Sequence, residues 1–182
     1  MKIPRTLLAL VIALLATACN ANSSNDTGKL AKKEKYGLTI VGYNYTSRYI
    51  DEFSVDGQGG GNLHVSGPNG GGGGLACCAA FWPAVKKATV TVRWQSDACR
   101  YLDSVDDDGT KHWLHHSWYK EREVPVTVHV NGEPAYMEIH IYPDDRVEAI
   151  VTDAISEPRL KLNKEREDRT EYSRCQNDKE PK

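Results

Sequence analysis

The stretch VPVTVHVNGEPAYMEIHIYPDDRVEAIV, residues 124–151, carries the clearest fold information in the chain. Val124, Val126, Val128 and Val130 recur at every second position and stop at Asn131-Gly132, a dipeptide that tolerates the positive φ angles of a tight hairpin. Met137, Ile139 and Ile141 repeat the alternation, Pro143-Asp144-Asp145 supplies a turn, and Val147, Ala149 and Val151 repeat it again. A period of two places one set of side chains on one face of a strand. Three such runs joined by turns predict a three-stranded meander.

The same pattern extends towards the N-terminus. Ala88 to Trp94 sets Val90, Val92 and Trp94 against Thr89, Thr91 and Arg93. Tyr36 to Thr46 is rich in β-branched and aromatic residues, with Thr39, Val41, Tyr43 and Tyr45 in phase, and Tyr49 to Val55 puts Tyr49, Phe53 and Val55 together. No helical period separates these runs. The expected fold is therefore all-β, an antiparallel β-sandwich or small barrel over residues 36–156. Residues 157–182 alternate in charge and carry few apolar groups, which predicts a charged tail, loose or as one exposed helix.

Between two predicted strands lies a glycine-rich stretch, Gly57 to Trp82, with Gly70 to Gly74 consecutive and Cys77-Cys78 at its end. Each glycine loses more backbone entropy on ordering than any other residue, so the stretch reads as a long loop pinned by its cysteines. A phosphate-binding loop needs a Lys and a hydroxyl residue after the last glycine, and Leu75-Ala76-Cys77 stands there instead.

The N-terminus has the layout of a secretion signal. Lys2 and Arg5 precede the apolar run Leu7 to Leu15, and Ala16-Thr17-Ala18 ends in Cys19. This resembles a bacterial lipobox, which implies removal of residues 1–18 and a lipid on Cys19; Ala16 stands where Leu is usual. Asn20 rather than Asp after the cysteine implies the outer membrane. Residues 19–35 are polar and read as a flexible tether. Loss of Lys2 and Arg5 changes 23 basic and 25 acidic residues to 21 and 25, a net charge of −4. Such a balance excludes nucleic acid as a natural partner, because phosphates demand a basic face.

Four cysteines then remain, Cys77, Cys78, Cys99 and Cys175, an even number in an exported chain and hence a disulfide framework. Neighbouring side chains on a strand point to opposite faces, so the expectation is that one of Cys77 and Cys78 reaches Cys99 and the other Cys175. The spacing fits neither a redox motif nor a zinc site. Lys111 to Tyr119 (KHWLHHSWY) gathers His112, His115 and His116 with Trp113, Trp118 and Tyr119. On a helix two of the histidines would share a metal, but a ligand set needs three or four convergent groups, so surface histidines are expected. No nucleophile elbow or zinc-protease motif is present; the expectation is a protein without catalytic chemistry or cofactor. Clustered Trp and Tyr instead favour a contact surface.

The ordered set Gly42-Tyr43-Asn44-Tyr45-Thr46, Phe53-Ser54-Val55-Asp56-Gly57, the glycine run, Cys77-Cys78, Val92-Arg93-Trp94 and Ile139 to Val147 resembles a family of bacterial lipoproteins over residues 36–153. Ala79-Ala80-Phe81 stands where that family has Leu-Pro, and the tail beyond Pro158 has no counterpart. Members are similar to immunity lipoproteins encoded beside phospholipase effectors of type VI secretion systems. The resemblance implies a periplasm-facing lipoprotein of the outer membrane that binds and neutralises a lipase effector; the large residues Trp113, Trp118 and Tyr119, between predicted strands and after the acidic turn Asp106-Asp107-Asp108-Gly109, are the expected anchors. The alternative is an envelope glycan-binding or structural lipoprotein, which an exposed aromatic row on one sheet face would favour. A hydrolase using the histidines is a third, weaker class.

Labelling cells with a fatty-acid analogue should mark the wild-type protein and leave Cys19→Ser unlabelled; equal labelling of both would refute lipidation at Cys19.

Overall fold

The alternating segments form strands in the order β1 (Tyr36–Asn44), β2 (Ile50–Val55), β3 (Gln58–Leu63), β4 (Gly72–Phe81), β5 (Thr89–Val105), β6 (Lys111–His129), β7 (Tyr136–Ile141) and β8 (Val147–Thr152). In the computed structural model, which describes residues 35–85, 87–163 and 172–182, they close into a barrel with the neighbour order β1-β4-β3-β2-β5-β6-β8-β7. Residues 1–18, Cys19 and all but the last residue of the 19–35 segment lie outside the described residues. The inward faces fill the barrel: Leu38, Ile40, Val55, Leu63, Val92, Met137, Ile139, Ile141, Ala149 and Val151 are fully buried, with Phe53 and Trp94 nearly so. Eight strands leave an interior just wide enough for side chains to fill.

Three features depart from the expected arrangement. The barrel is mixed rather than antiparallel, because β1 pairs with β7 and β6 with β8 in parallel. The last three strands are not a simple meander, since β8 lies between β6 and β7. Asn131 and Gly132 make no tight hairpin; both backbone N–H groups donate to Asp153 Oδ2 at 2.8 Å, and the chain crosses the end of β8 to begin β7. The turn between β7 and β8 falls where expected, closed by Tyr142 N–H donating to the Arg146 carbonyl at 2.9 Å.

The glycine-rich stretch is the third departure. It is not one long loop: β3 and β4 are built from it, and only residues 64–71 connect them. The glycines are there for space. A Cβ on Gly60 would overlap the Phe53 ring, and one on Gly42 or Gly73 would overlap the Leu63 side chain. Leu63 thus seats between β1 and β4 because both strands present hydrogen where a side chain would be. At Asp56-Gly57, with φ of 50° and 76°, the β2–β3 hairpin takes a two-residue turn of the primed kind, Val55 opposite Gln58.

Outside the barrel, Val41, Tyr43, Tyr45 and Tyr142 form a second buried cluster against Tyr136 and Leu162. Residues 153–162 run over it as a strap. The Tyr43 hydroxyl donates to the Ser156 carbonyl at 2.6 Å, and Arg159 N–H donates to the Tyr45 hydroxyl at 2.9 Å. Beyond residue 156 the strap touches the cluster through the Arg159 N–H and Leu162 while Glu157, Leu160 and Lys161 stay exposed, and no α-helix occurs among the described residues.

Gly60→Ala should cost about 1–3 kcal/mol through overpacking against Phe53. The expected reading is a lower urea midpoint with unchanged slope; no change in midpoint would show that the ring moves freely aside.

Candidate interaction surface

β5 and β6 are far longer than the barrel needs. β5 pairs with β2 only along Val92–Trp94, and β6 pairs with β8 only along Val126–His129. Beyond Trp94 the two strands continue as a twisted ribbon, Gln95–Val105 against Lys111–Tyr119, with one register shift near its base and one near its tip. At about 3.3 Å per residue this arm extends roughly 36 Å. Its tip is a turn in which Gly109, at φ 87°, donates its N–H to the Asp106 carbonyl at 2.9 Å.

A lone two-stranded ribbon is marginal in water, so the arm needs support. The C-terminal segment provides it along the edge of β5 that β2 leaves open. Arg100 N–H donates to the Ser173 carbonyl at 2.9 Å and Cys175 N–H to the Arg100 carbonyl at 2.8 Å, and Cys99–Cys175 joins the two covalently. On one face His115 meets the Tyr172 ring edge-on at 4.9 Å, and the guanidinium groups of Arg174 and Arg100 lie 4.7 and 5.7 Å from the centre of the Trp113 ring.

The predicted anchors sit in β6 itself, not in a loop, because the ribbon is wet on both faces and shows no apolar alternation to betray it. They do not form one patch. Trp118 and Tyr119 are neighbours on a strand and project to opposite faces. The Tyr119 ring is covered by Arg93 at 3.5 Å and its hydroxyl donates to Glu52 Oε2 at 2.9 Å, tying the base of the arm to β2. Burial and the Glu52 carboxylate raise its pKa. Trp113 is half-buried between its arginines. Trp118, 39% exposed, packs edge-on against His116 at 4.8 Å and borders a cleft of about 600 Å³ walled by Cys99 and the segment Ser173–Lys182. Leu114 at 47% and Val105 at 51% are more exposed still and were not singled out by the sequence. Their only signal was an apolar residue with no alternating partner.

The histidines separate in the same way. His112 Nε2 lies 2.8 Å from Asp106 Oδ2, His116 Nδ1 lies 3.7 Å from Glu180 Oε1, and His115 faces Tyr172. No group of metal-ligating side chains converges among the described residues.

The cysteines pair as Cys77–Cys78 and Cys99–Cys175, which corrects the expected cross-pairing. Two strands, β3 and β2, lie between β4 and β5. At about 4.8 Å per strand the separation is about 14 Å, twice the Cα–Cα distance a disulfide spans. Cys77 and Cys78 bond to each other where β4 departs from regular pairing. Between Leu38–Ala79 and Ile40–Ala76 it carries one extra residue, the peptide between the cysteines is cis, and their Cα atoms are 3.1 Å apart.

A second constellation has no signature in the sequence. Glu138 and His140 on β7 are fully buried beneath the strap, with His140 stacked on Tyr43 at 4.3 Å and its Nδ1 2.9 Å from the Tyr45 hydroxyl. Glu138 Oε2 lies 3.6 Å from His140 Nε2, and Glu138 Oε1 accepts the Ser156 N–H at 2.7 Å. Burial opposes the charge on Glu138, but His140 and Ser156 outweigh it and hold the carboxyl below its usual range. Burial and the bond to Glu148 push the Tyr142 phenol up to about 12. An acid, an imidazole and a phenol in line have the makings of proton-transfer chemistry, yet Glu138 and His140 are sealed from any substrate. Their work here is to bind the strap to the barrel.

A family model described as "Protein of unknown function (DUF3304)" matches residues 43–149. That is more than half of the chain, and the protein belongs to this family. No curated protein and no solved structure matches it.

Cys99→Ser should lower stability by about 4 kcal/mol, because the bond closes a loop of 76 residues. Denaturant unfolding of the non-reduced protein should show it, together with faster proteolysis after residue 172. Equal stability of mutant and wild type would mean that non-covalent contacts alone hold the segment.

Proposed function

We propose that this protein is a periplasm-facing lipoprotein, anchored in the outer membrane through Cys19, that binds and neutralises a type VI secretion lipase effector, and that the β5–β6 arm is its inhibitory element. The observation that carries this reading is the arm itself, a stapled ribbon that runs on past the barrel strands with Leu114 and Val105 exposed and Trp118 partly so. A barrel needs no such projection for its own stability. The lipobox-like N-terminus, the two disulfides and the family resemblance support an envelope location for it.

The dimensions bear on how inhibition works. A stable interface buries roughly 800 Å² on each partner. One face of a ribbon about 36 Å long and about 10 Å wide offers less than half of that in projection. Lying flat on the effector would therefore leave the complex weak. A ribbon inserted edgewise into the active-site cleft is contacted on both faces, which doubles the projected contact to about 720 Å² and brings it near that size, and it excludes lipid from the site without chemistry of its own. The glycan-binding alternative asks for a row of open rings on one face; Trp113 and Tyr119 share a face but each carries an arginine.

The test is lipase activity of the effector encoded beside this protein, titrated with the purified lipoprotein. Inhibition should saturate near one equivalent. Leu114→Ala and Trp118→Ala should each weaken binding by about 2 kcal/mol, roughly thirtyfold, with unchanged thermal melts. Absence of inhibition at micromolar excess would eliminate the immunity role.

A further inference from the structure

The arm leaves one end of the barrel, and the opposite end has a different surface. There the described chain enters at Lys35 and Tyr36, and Tyr36 pairs with Phe81 at the end of β4. The connection from β4 to β5 follows at once: Trp82-Pro83-Ala84-Val85-Lys86-Lys87-Ala88. Val85 N–H donates to the Trp82 carbonyl at 3.0 Å, a tight turn that sets both side chains outward. Trp82 is 46% and Val85 54% exposed, while Phe81 next to them is buried and roots the turn in the core. The Lys35 ammonium lies 5.2 Å from the centre of the Trp82 ring. A groove of about 230 Å³ lies behind the turn, floored by Val90, Val126 and Met137.

We propose that this end of the barrel docks on an anionic phospholipid surface, with Trp82 and Val85 at the level of the headgroups and upper acyl chains and with Lys35 and Lys87 on phosphates. The proposal rests on the anchored reading above, and three observations favour a bilayer over other occupants. Tryptophan beside lysine is the combination that settles at a membrane–water boundary, since the indole is apolar with one polar edge and the ammonium seeks phosphate. Asp56 and Asp153 at the same end keep their charge, but an oxygen of each accepts backbone N–H groups, of Thr91 and of Asn131 and Gly132, and neither forms an ion pair with Lys35 or Lys87 among the described residues. Finally, Cys19 precedes Lys35 by only sixteen residues, and Lys35 stands on Trp82. That segment joins the barrel at this end, so a lipid on Cys19 attaches the protein through this face, with a reach of at most about 55 Å. The tether supplies local concentration, and weak contacts then suffice to set orientation.

The experiment uses the mature protein extracted from membranes and reconstituted into vesicles of phosphatidylethanolamine and phosphatidylglycerol with brominated acyl chains. Bromine quenches only indoles that touch the acyl region. Trp94 is sealed in the core and Trp113 and Trp118 stand on the arm, so the quenched emission should belong to Trp82. It should disappear in Trp82→Phe and fall by at least half in Lys35→Glu/Lys87→Glu or in vesicles lacking phosphatidylglycerol. No quenching in the wild type, or quenching that survives Trp82→Phe, overturns the proposal. So does protection of the Trp82 turn by the effector but not by vesicles, which would assign the face to a protein. Fatty-acid labelling of the same preparation separates the two ideas. A labelled, vesicle-bound but unquenched protein loses the docking face and keeps the anchor. An unlabelled protein that is still quenched through Trp82 keeps the face and loses the anchor.

Discussion

The barrel closes because two large side chains are given room by hydrogen. Leu63 reaches across from β3 to occupy space that Gly42 and Gly73 leave empty, and Phe53 lies over Gly60. Everything else depends on that fit. Without it β3 and β4, whose direct pairing joins only Leu63 to Gly73, would have little to hold them together, and the pair β1–β4 would part from β3 and β2. Glycine is costly to order, and an ordinary strand avoids it. Here the entropy lost is offset by burial of a leucine and a phenylalanine, each contributing on the order of 2 kcal/mol when fully removed from water.

The inward-facing sets were legible in the chain, because alternation reports a face directly: Val90 to Trp94, Met137 to Ile141 and Val147 to Val151 all lie where their period puts them, although the outer faces of β7 and β8 are buried as well. Alternation does not report neighbours. Nothing in Val124 to Val130 says that β8, and not β7, lies beside it, and the hydrogen bonds from Asn131 and Gly132 to Asp153 that divert the chain involve a residue two strands away in sequence. Strands made of glycine have no side chains to alternate, so β3 was invisible, although Asp56-Gly57 was an available turn signal. The cysteine pairing was illegible for the same reason as the strand order, since distance across the barrel decides it. In the arm, Leu114 and Trp118 follow no period because a free ribbon has no inside.

The polar layer under the strap shows a different economy. Glu138 and His140 face outward from a sheet that elsewhere alternates apolar and wet, and the sequence reads there as a solvated face. The strap turns that face into an interior. Burying a carboxylate is costly unless its oxygens are satisfied; Glu138 Oε1 accepts the Ser156 N–H and the Thr152 hydroxyl, while Oε2 faces His140 Nε2 at 3.6 Å, beyond hydrogen-bond range. Such an arrangement tolerates one seating of residues 153–162 and penalises others, because any slip leaves a buried charge without its donor. Specificity of placement, rather than net stability, is what the pair contributes.

The seam between β1 and β7 sets the order of assembly. Hairpins β2–β3, β5–β6 and β7–β8 join neighbours in the chain and close with short loops, whereas Thr39 must find Tyr136 from the other end of the domain. Contacts so distant in sequence are slow to form. β1 is also the first strand to leave a ribosome or an export channel, and until β4 and then β7 arrive its nine residues, with Ile40, Val41, Tyr43 and two open edges, are an invitation to foreign strands. A chain delivered N-terminus first therefore exposes its most adhesive strand earliest and covers it last, so the time spent waiting for β7, more than the stability of the finished barrel, governs how much of the protein survives to fold.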